Sequence, residues 1–259
     1  MRNNPLLKNY SEAWYKIELP MSKKTMQIKP IHMKENKSFV TVIEEAEEKN
    51  DIKLFLAGTI NLMLACSKEC KSSDILKLNI VDFVYLSNKL TSITKGSKLK
   101  RKIQCEDKCF QPRPDIDKKI PYETLIEFDI DECEISNMNN KKSFILTANE
   151  TKYEIYMKDF VVGMLLEHPE ILKNSNTFND IFETIITFVD FIVIDSVKYD
   201  DLTKNEIEEF LLKLTSYQLK PFGDYIKNIP KLILKKKFKC ANCKKEQEIE
   251  IKDLSNFLE

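Results

Sequence analysis

The residues best equipped for chemistry are seven cysteines, arranged as Cys66/Cys70, Cys105/Cys109 and Cys240/Cys243, with Cys133 alone. In a reducing cytosol, thiols at this spacing read as metal ligands before they read as disulfides. The run Phe238-Lys-Cys-Ala-Asn-Cys-Lys-Lys-Glu-Gln-Glu-Ile-Glu-Ile251 sets a C-x2-C turn between two strand-like segments, the way a zinc knuckle presents two thiolates. Tetrahedral zinc takes four ligands, so a second pair must come from elsewhere. Lys100-Arg-Lys-Ile-Gln-Cys-Glu-Asp-Lys-Cys109 offers C-x3-C after a strand of similar character. Joining Cys105 and Cys109 to Cys240 and Cys243 around one structural zinc makes a discontinuous ribbon that pins the middle of the chain to its end. The competing pair is Cys66/Cys70, although Cys66 continues the apolar face of Ile60 and Leu64 and reads more simply as a core thiol. Neither knuckle has the glycine that eases the turn after its second cysteine; Lys244 and Phe110 stand there.

Four thiolates close a metal site, leaving no position for water or substrate, so the expected zinc is structural and the chain is expected not to be an enzyme. His32 and His168 read as capping or packed histidines rather than bases. Glycines at only 58, 96, 163 and 223 leave no phosphate loop or dinucleotide fingerprint. Lys231, Lys235, Lys236, Lys237 and Lys239 form a basic run beside the second knuckle. One reading is phosphate contact, as in a zinc-ribbon nucleic-acid-binding regulator; the other is a solvated strand edge guarded by lysines. The 41 basic and 41 acidic side chains cancel, which removes any global field toward nucleic acid or an anionic membrane and favours the second reading. No stretch approaches the roughly 18 apolar residues of a membrane span, and the expected compartment is the cytoplasm of the cell that makes the protein.

These thiols need elements to hold them. Alternation on both sides of Pro20-Met-Ser-Lys predicts an N-terminal β-hairpin within Tyr15 to Pro30. Apolar spacing of three and four predicts helices from Met33 to Lys49 and from Ile52 to Cys66, with the break and the next cap at Asn50-Asp51. A third helix runs from Asn79 to Lys95-Gly96. Strands are expected over Lys98 to Gln104, Glu123 to Ile130, Ser143 to Thr147 and Lys152 to Tyr156, with a turn at Asn137 to Lys142. Helices come next over Phe160 to Glu167, Thr177 to Phe191, Lys204 to Lys213 and Ser216 to Ile226, the third opened by a Thr203/Glu206 capping box. The end returns to strand at Lys231 to Phe238 and Glu248 to Ile251, with a short element at Leu254 to Leu258.

The expected fold class is α+β: two helical blocks around a mixed or antiparallel sheet, with the N-terminal hairpin and the discontinuous zinc-ribbon-like staple of four cysteines. The segments read as a tail (1–13), a hairpin plus helical block (14–96), a β-rich segment with the first knuckle (97–157), a helical block (158–230) and a C-terminal β segment with the second knuckle (231–259), together one compact unit.

The order of motifs then becomes recognisable. Ile17-Glu-Leu-Pro-Met-Ser-Lys-Lys is followed by Ile28-Lys-Pro-Ile-His-Met-Lys-Glu-Asn-Lys37, Leu78-Asn-Ile-Val-Asp-Phe-Val-Tyr-Leu-Ser-Asn-Lys-Leu90 and Ser92-Ile-Thr-Lys-Gly96. Ile126-Glu-Phe-Asp-Ile130, Asn228-Ile-Pro-Lys-Leu232, Cys240-Ala-Asn-Cys243 and Leu254-Ser-Asn-Phe257 complete the series. From about Trp14 onward the chain resembles the T4-type bacteriophage baseplate hub subunit family. The resemblance implies a structural or chaperone-like protein of a contractile tail, working in the hub region by binding hub, tail-tube, tape-measure or wedge proteins. It implies no reaction; the expected partners are proteins, with no membrane and no small-molecule substrate. It places the protein in the host cytoplasm during assembly and as a candidate component of the virion baseplate.

Overall fold

In the computed structural model, the described residues are 12–96, 98–105, 109–111, 120–138, 140–148, 150–172 and 177–251; most of the tail (1–11) and the expected element at Leu254 to Leu258 lie outside them. In chain order the elements are β1 (Tyr15–Glu18), β2 (Thr25–Ile28), α1 (Met33–Lys49), α2 (Ile52–Cys66), α3 (Ser72–Leu76), α4 (Ile80–Lys95), β3 (Leu99–Gln104), β4 (Phe110–Gln111), β5 (Ile120–Pro121), β6 (Glu123–Phe128), β7 (Glu134–Ser136), β8 (Ser143–Ala148), β9 (Thr151–Met157), α5 (Val162–Glu167), α6 (Phe178–Phe188), β10 (Val189–Ile194), β11 (Val197–Tyr199), α7 (Lys204–Leu212), α8 (Ser216–Lys227), β12 (Lys231–Lys239) and β13 (Glu246–Ile251). The fold is α+β with an N-terminal hairpin, and the strand pairings resolved in it are antiparallel. The chain divides into two compact units, one of Met1–Ile75, Val81–Ile135 and Leu232–Glu259, the other of Leu76–Ile80 and Ser136–Lys231.

In the first unit, Asn50 in the left-handed region ends α1, and the Asp51 side chain accepts from the Leu54 backbone N–H to start α2. The two helices approach closely at Gly58, where an added Cβ would lie 2.8 Å from Val42 Cγ1. Helix α4 ties down segments on both sides of it in the chain. Its buried Asp82 carboxylate accepts from the backbone N–H groups of Met21 (2.7 Å) and Ser22 (2.9 Å), fixing the turn of the β1–β2 hairpin. One turn on, Tyr85 donates to Asp131 (2.7 Å), and Lys89 pairs with the same carboxylate (2.5 Å). Asp131 sits in a short 3-10 turn, Ile130–Glu132, opened by an Asp129/Glu132 capping box. Strand β3 pairs with β6 from Leu99↔Phe128 to Gln104↔Glu123, and β12 lies between β13 and β7.

In the second unit, helices α6, α7 and α8 pack on one face of the sheet β11-β10-β9-β8. The core gathers Ile155 and Met157 from β9, Phe182, Ile185 and Phe188 from α6, Leu211 from α7, and Phe222 and Tyr225 from α8. The Tyr225 hydroxyl, carried into that core, donates to the Lys158 carbonyl at 2.9 Å. Both α7 and α8 open on capping boxes, Thr203/Glu206 and Thr215/Gln218.

The helix expected from Thr177 to Phe191 stops at Phe188, and Val189 enters a strand. The run Val189-Asp-Phe-Ile-Val-Ile194 is rich in β-branched residues and, apart from Asp190, apolar, so it suits either period, and pairing with β9 decides it. It continues into β11 through Asp195-Ser196, both at positive φ (46° and 73°), a hairpin turn without the usual Asn-Gly signal.

Candidate metal centre

The second knuckle is built by the β12–β13 turn. The Cys240 N–H donates to the Lys245 carbonyl, and the Lys244 N–H donates back to the Cys240 carbonyl, each at 3.0 Å. Lys244 closes the turn at φ 63°, the left-handed conformation that glycine would adopt without strain. The first knuckle leaves the end of β3 at Cys105 and reaches β4 at Cys109, whose carbonyl accepts from the Tyr122 N–H at 2.6 Å just ahead of β6. Besides the sulfurs themselves, bonds between these strands include the Ala241 N–H donating to Thr124 Oγ1 on β6 (3.2 Å) and the Gln247 side-chain amide on β13 donating to Cys105 Sγ (3.1 Å).

All four sulfurs of Cys105, Cys109, Cys240 and Cys243 lie within 4.8 Å of one another. Cys105 and Cys240 are buried, Cys109 and Cys243 half-buried. Cys105 Sγ and Cys243 Sγ stand 3.7 Å apart, far beyond disulfide length. Sulfurs on a tetrahedron with bonds of ~2.3 Å to its centre are ~3.8 Å apart, so this spacing suits a shared metal ion. The Cys240 thiol is pushed down to about 6, first by the Cys243 backbone N–H and also by that of Asn242. The Cys109 thiol is pushed up to about 12, chiefly by its hydrogen bond with the Cys105 thiol. Within the cluster one thiol is thus pushed down and another up, and a divalent cation bound there would balance several thiolates at once.

The remaining cysteines stand apart from this set. Cys66 is fully buried, with its thiol pushed up to about 11 by burial first, in keeping with a core residue. Cys70 is half-buried beside the Lys71 carbonyl. Cys133 is pushed up to about 12 by burial and then by Glu132 and its acidic neighbours, which makes it a poor nucleophile.

A family model described as T4 bacteriophage base plate protein matches residues 13–259. The chain belongs to this family. No curated protein and no solved structure matches it. As a phage base plate protein it carries the motif series within the matched span, and the Asp82 of that series is the residue that holds the Met21–Ser22 turn.

The basic run of this base plate protein faces carboxylates. Strand β12 is the central strand of its sheet, and Lys235, Lys237 and Lys239 stand opposite Glu250, Glu248 and Glu246 of β13. Lys235 also pairs with Glu134 (3.3 Å) and Lys236 with Glu132 (2.8 Å). Lysines matched in this way by carboxylates present little unopposed charge to a phosphate backbone. His32 occupies the N-cap position of α1 without a side-chain capping bond, and His168 closes α5 with its Nδ1 3.1 Å from Glu170. Sequence reasoning missed Gln247 and Thr124 altogether. Their only signal was alternation along β13 and β6, which says which face a residue takes and not what it meets there.

Proposed function

We propose that this base plate protein is a structural or assembly component of the hub region of a contractile tail, acting by protein–protein binding and carrying out no reaction. It binds neighbouring hub, tail-tube, tape-measure or wedge proteins, and is made and assembled in the host cytoplasm. The observation that carries the reading is the family match over residues 13–259, joined to a four-thiol cluster whose donor set is complete without water or substrate.

Cys105, Cys109, Cys240 and Cys243 are the proposed ligands of one structural zinc. The ion supplies folding free energy at a site that the unfolded chain does not possess. The four thiols suit a soft tetrahedral ion and leave no open position for Lewis-acid chemistry.

The test of the assignment is quantitative detection of the chain in purified virions and in baseplates dissociated from them, together with affinity capture from infected cells. A fixed copy number in hub-containing fractions supports a structural role, and accumulation in cells with hub proteins captured but none in virions supports an assembly role. Absence from both, or salt-sensitive sub-micromolar binding to DNA, overturns the assignment.

A further inference from the structure

We infer that Gln247 is a positioning residue of the metal centre: its side-chain N–H donates to the Cys105 sulfur and couples β13 to the first knuckle. This rests on the tetrathiolate reading above and goes beyond the four ligands themselves.

The two knuckles differ in how their sulfurs are supported. Cys240 receives backbone N–H groups from its own turn, those of Cys243 and Asn242. Cys105, the other buried sulfur, is met instead by a side chain from another element, Gln247 Nε2 at 3.1 Å across 142 residues of sequence. An amide N–H aimed at sulfur favours the thiolate over the thiol, and draws charge off a centre in which four thiolates leave a divalent ion with a net double negative charge. Gln247 reaches Cys105 because β13 pairs in the register Phe238↔Gln247, on the half-buried face it shares with Ile249 and Ile251. A one-residue slip would present Glu246 or Glu248 to the other side and break the contact. The bond therefore makes the β12–β13 register part of the metal site.

The experiment uses the full chain as wild type, Gln247→Met and Gln247→Glu. Zinc affinity is measured by chelator competition, and the cobalt(II)-substituted proteins give the sulfur-to-metal charge-transfer band. Gln247→Met keeps length without a donor; Gln247→Glu keeps shape and sets an acceptor against the sulfur, so it decides the matter if the Met variant folds poorly. Both are expected to bind one metal ion with tetrahedral cobalt spectra, roughly 10- to 100-fold more weakly than wild type, Glu more so than Met. The charge-transfer band should move to lower energy, because a sulfur without its N–H donor gives up an electron more easily, and Cys105 should be alkylated faster than in wild type. Unchanged affinity and band position in both variants overturn the role of Gln247 while leaving the centre standing. A wild-type chain that takes up no metal overturns the centre, and this inference with it.

Discussion

Asp82, fully buried on α4, accepts the Met21 backbone N–H at 2.7 Å across 61 residues of sequence, and the neighbouring Ser22 N–H with its second oxygen. A carboxylate that takes up two turn amides replaces the hydration both groups lose on burial. Asp82→Ala should destabilise the first unit by about 3 kcal/mol, and Asp82→Asn by about 2 kcal/mol, since one edge of the new amide is a donor facing a donor. Urea unfolding of the two variants against wild type reads this, and losses below about 0.5 kcal/mol would rule out a structural role for the contact.

Metal content separates the cysteines. Wild type should hold one zinc per chain, and serine at Cys105, Cys109, Cys240 or Cys243 should lower content and loosen the β3–β6 and β12–β13 strand pairs together. Cys66→Ser and Cys133→Ala should keep the metal, at the cost of an ordinary core or half-buried substitution. Elemental analysis with hydrogen exchange checks both; undiminished zinc in Cys105→Ser would sink the shared site.

The metal-free protein should show a stability maximum with pH. Cys240, lowered to about 6, contributes stability that is complete above the unfolded thiol value near 9 and is lost as pH falls through about 6. Cys109, raised to about 12, contributes stability that is complete below 9 and is lost as pH rises through about 12. Together they make stability climb from pH 6 to about 9 and decline beyond it. Thermal melts of chelator-treated protein at stepped pH test the sign, and Cys240→Ser should remove the rising limb.

Gly58 tests the α1–α2 crossing. Alanine is the better helix former by about 1 kcal/mol, but its Cβ would stand 2.8 Å from the stiff Val42 side chain. Overpacking should win, so that Gly58→Ala lowers stability by about 1–2 kcal/mol. Gly58→Ala with Val42→Ala should recover part of that loss, as a double-mutant cycle would report.

The turn between β10 and β11 should be improvable. Ser196 sits at φ 73°, where glycine is unstrained, so Ser196→Gly should stabilise the second unit by about 0.5–1 kcal/mol. A change in the opposite direction would show that the Ser196 side chain makes a contact worth more than the strain.

Sequence could be read wherever a single element decides its own structure. The β1–β2 alternation, the Asn50-Asp51 break and the Thr203/Glu206 box carry their own signals, and each appears in the fold. So does the gathering of two cysteine pairs, because knuckle spacing at the end of a strand is itself a local signal. The features that stayed hidden depend on partners distant in sequence. Val189 to Ile194 suits helix or strand until β9 arrives beside it. Asp82 looks like an ordinary first-turn acid until the Met21 amide is found against it, and the glutamates opposite the β12 lysines are known only once β13 is paired.

The wide separation of the two knuckles orders events during synthesis. Cys105 and Cys243 are 138 residues apart, which at about 5–20 residues per second is roughly 7 to 28 s of translation. Over most of that interval the nascent chain carries Cys105 and Cys109 without Cys240 and Cys243, while residues 136–231 of the second unit are made in full. A chain aborted before Cys240 can offer a metal ion only half a site. The full four-thiol donor set therefore exists only in chains read through to the β12–β13 turn.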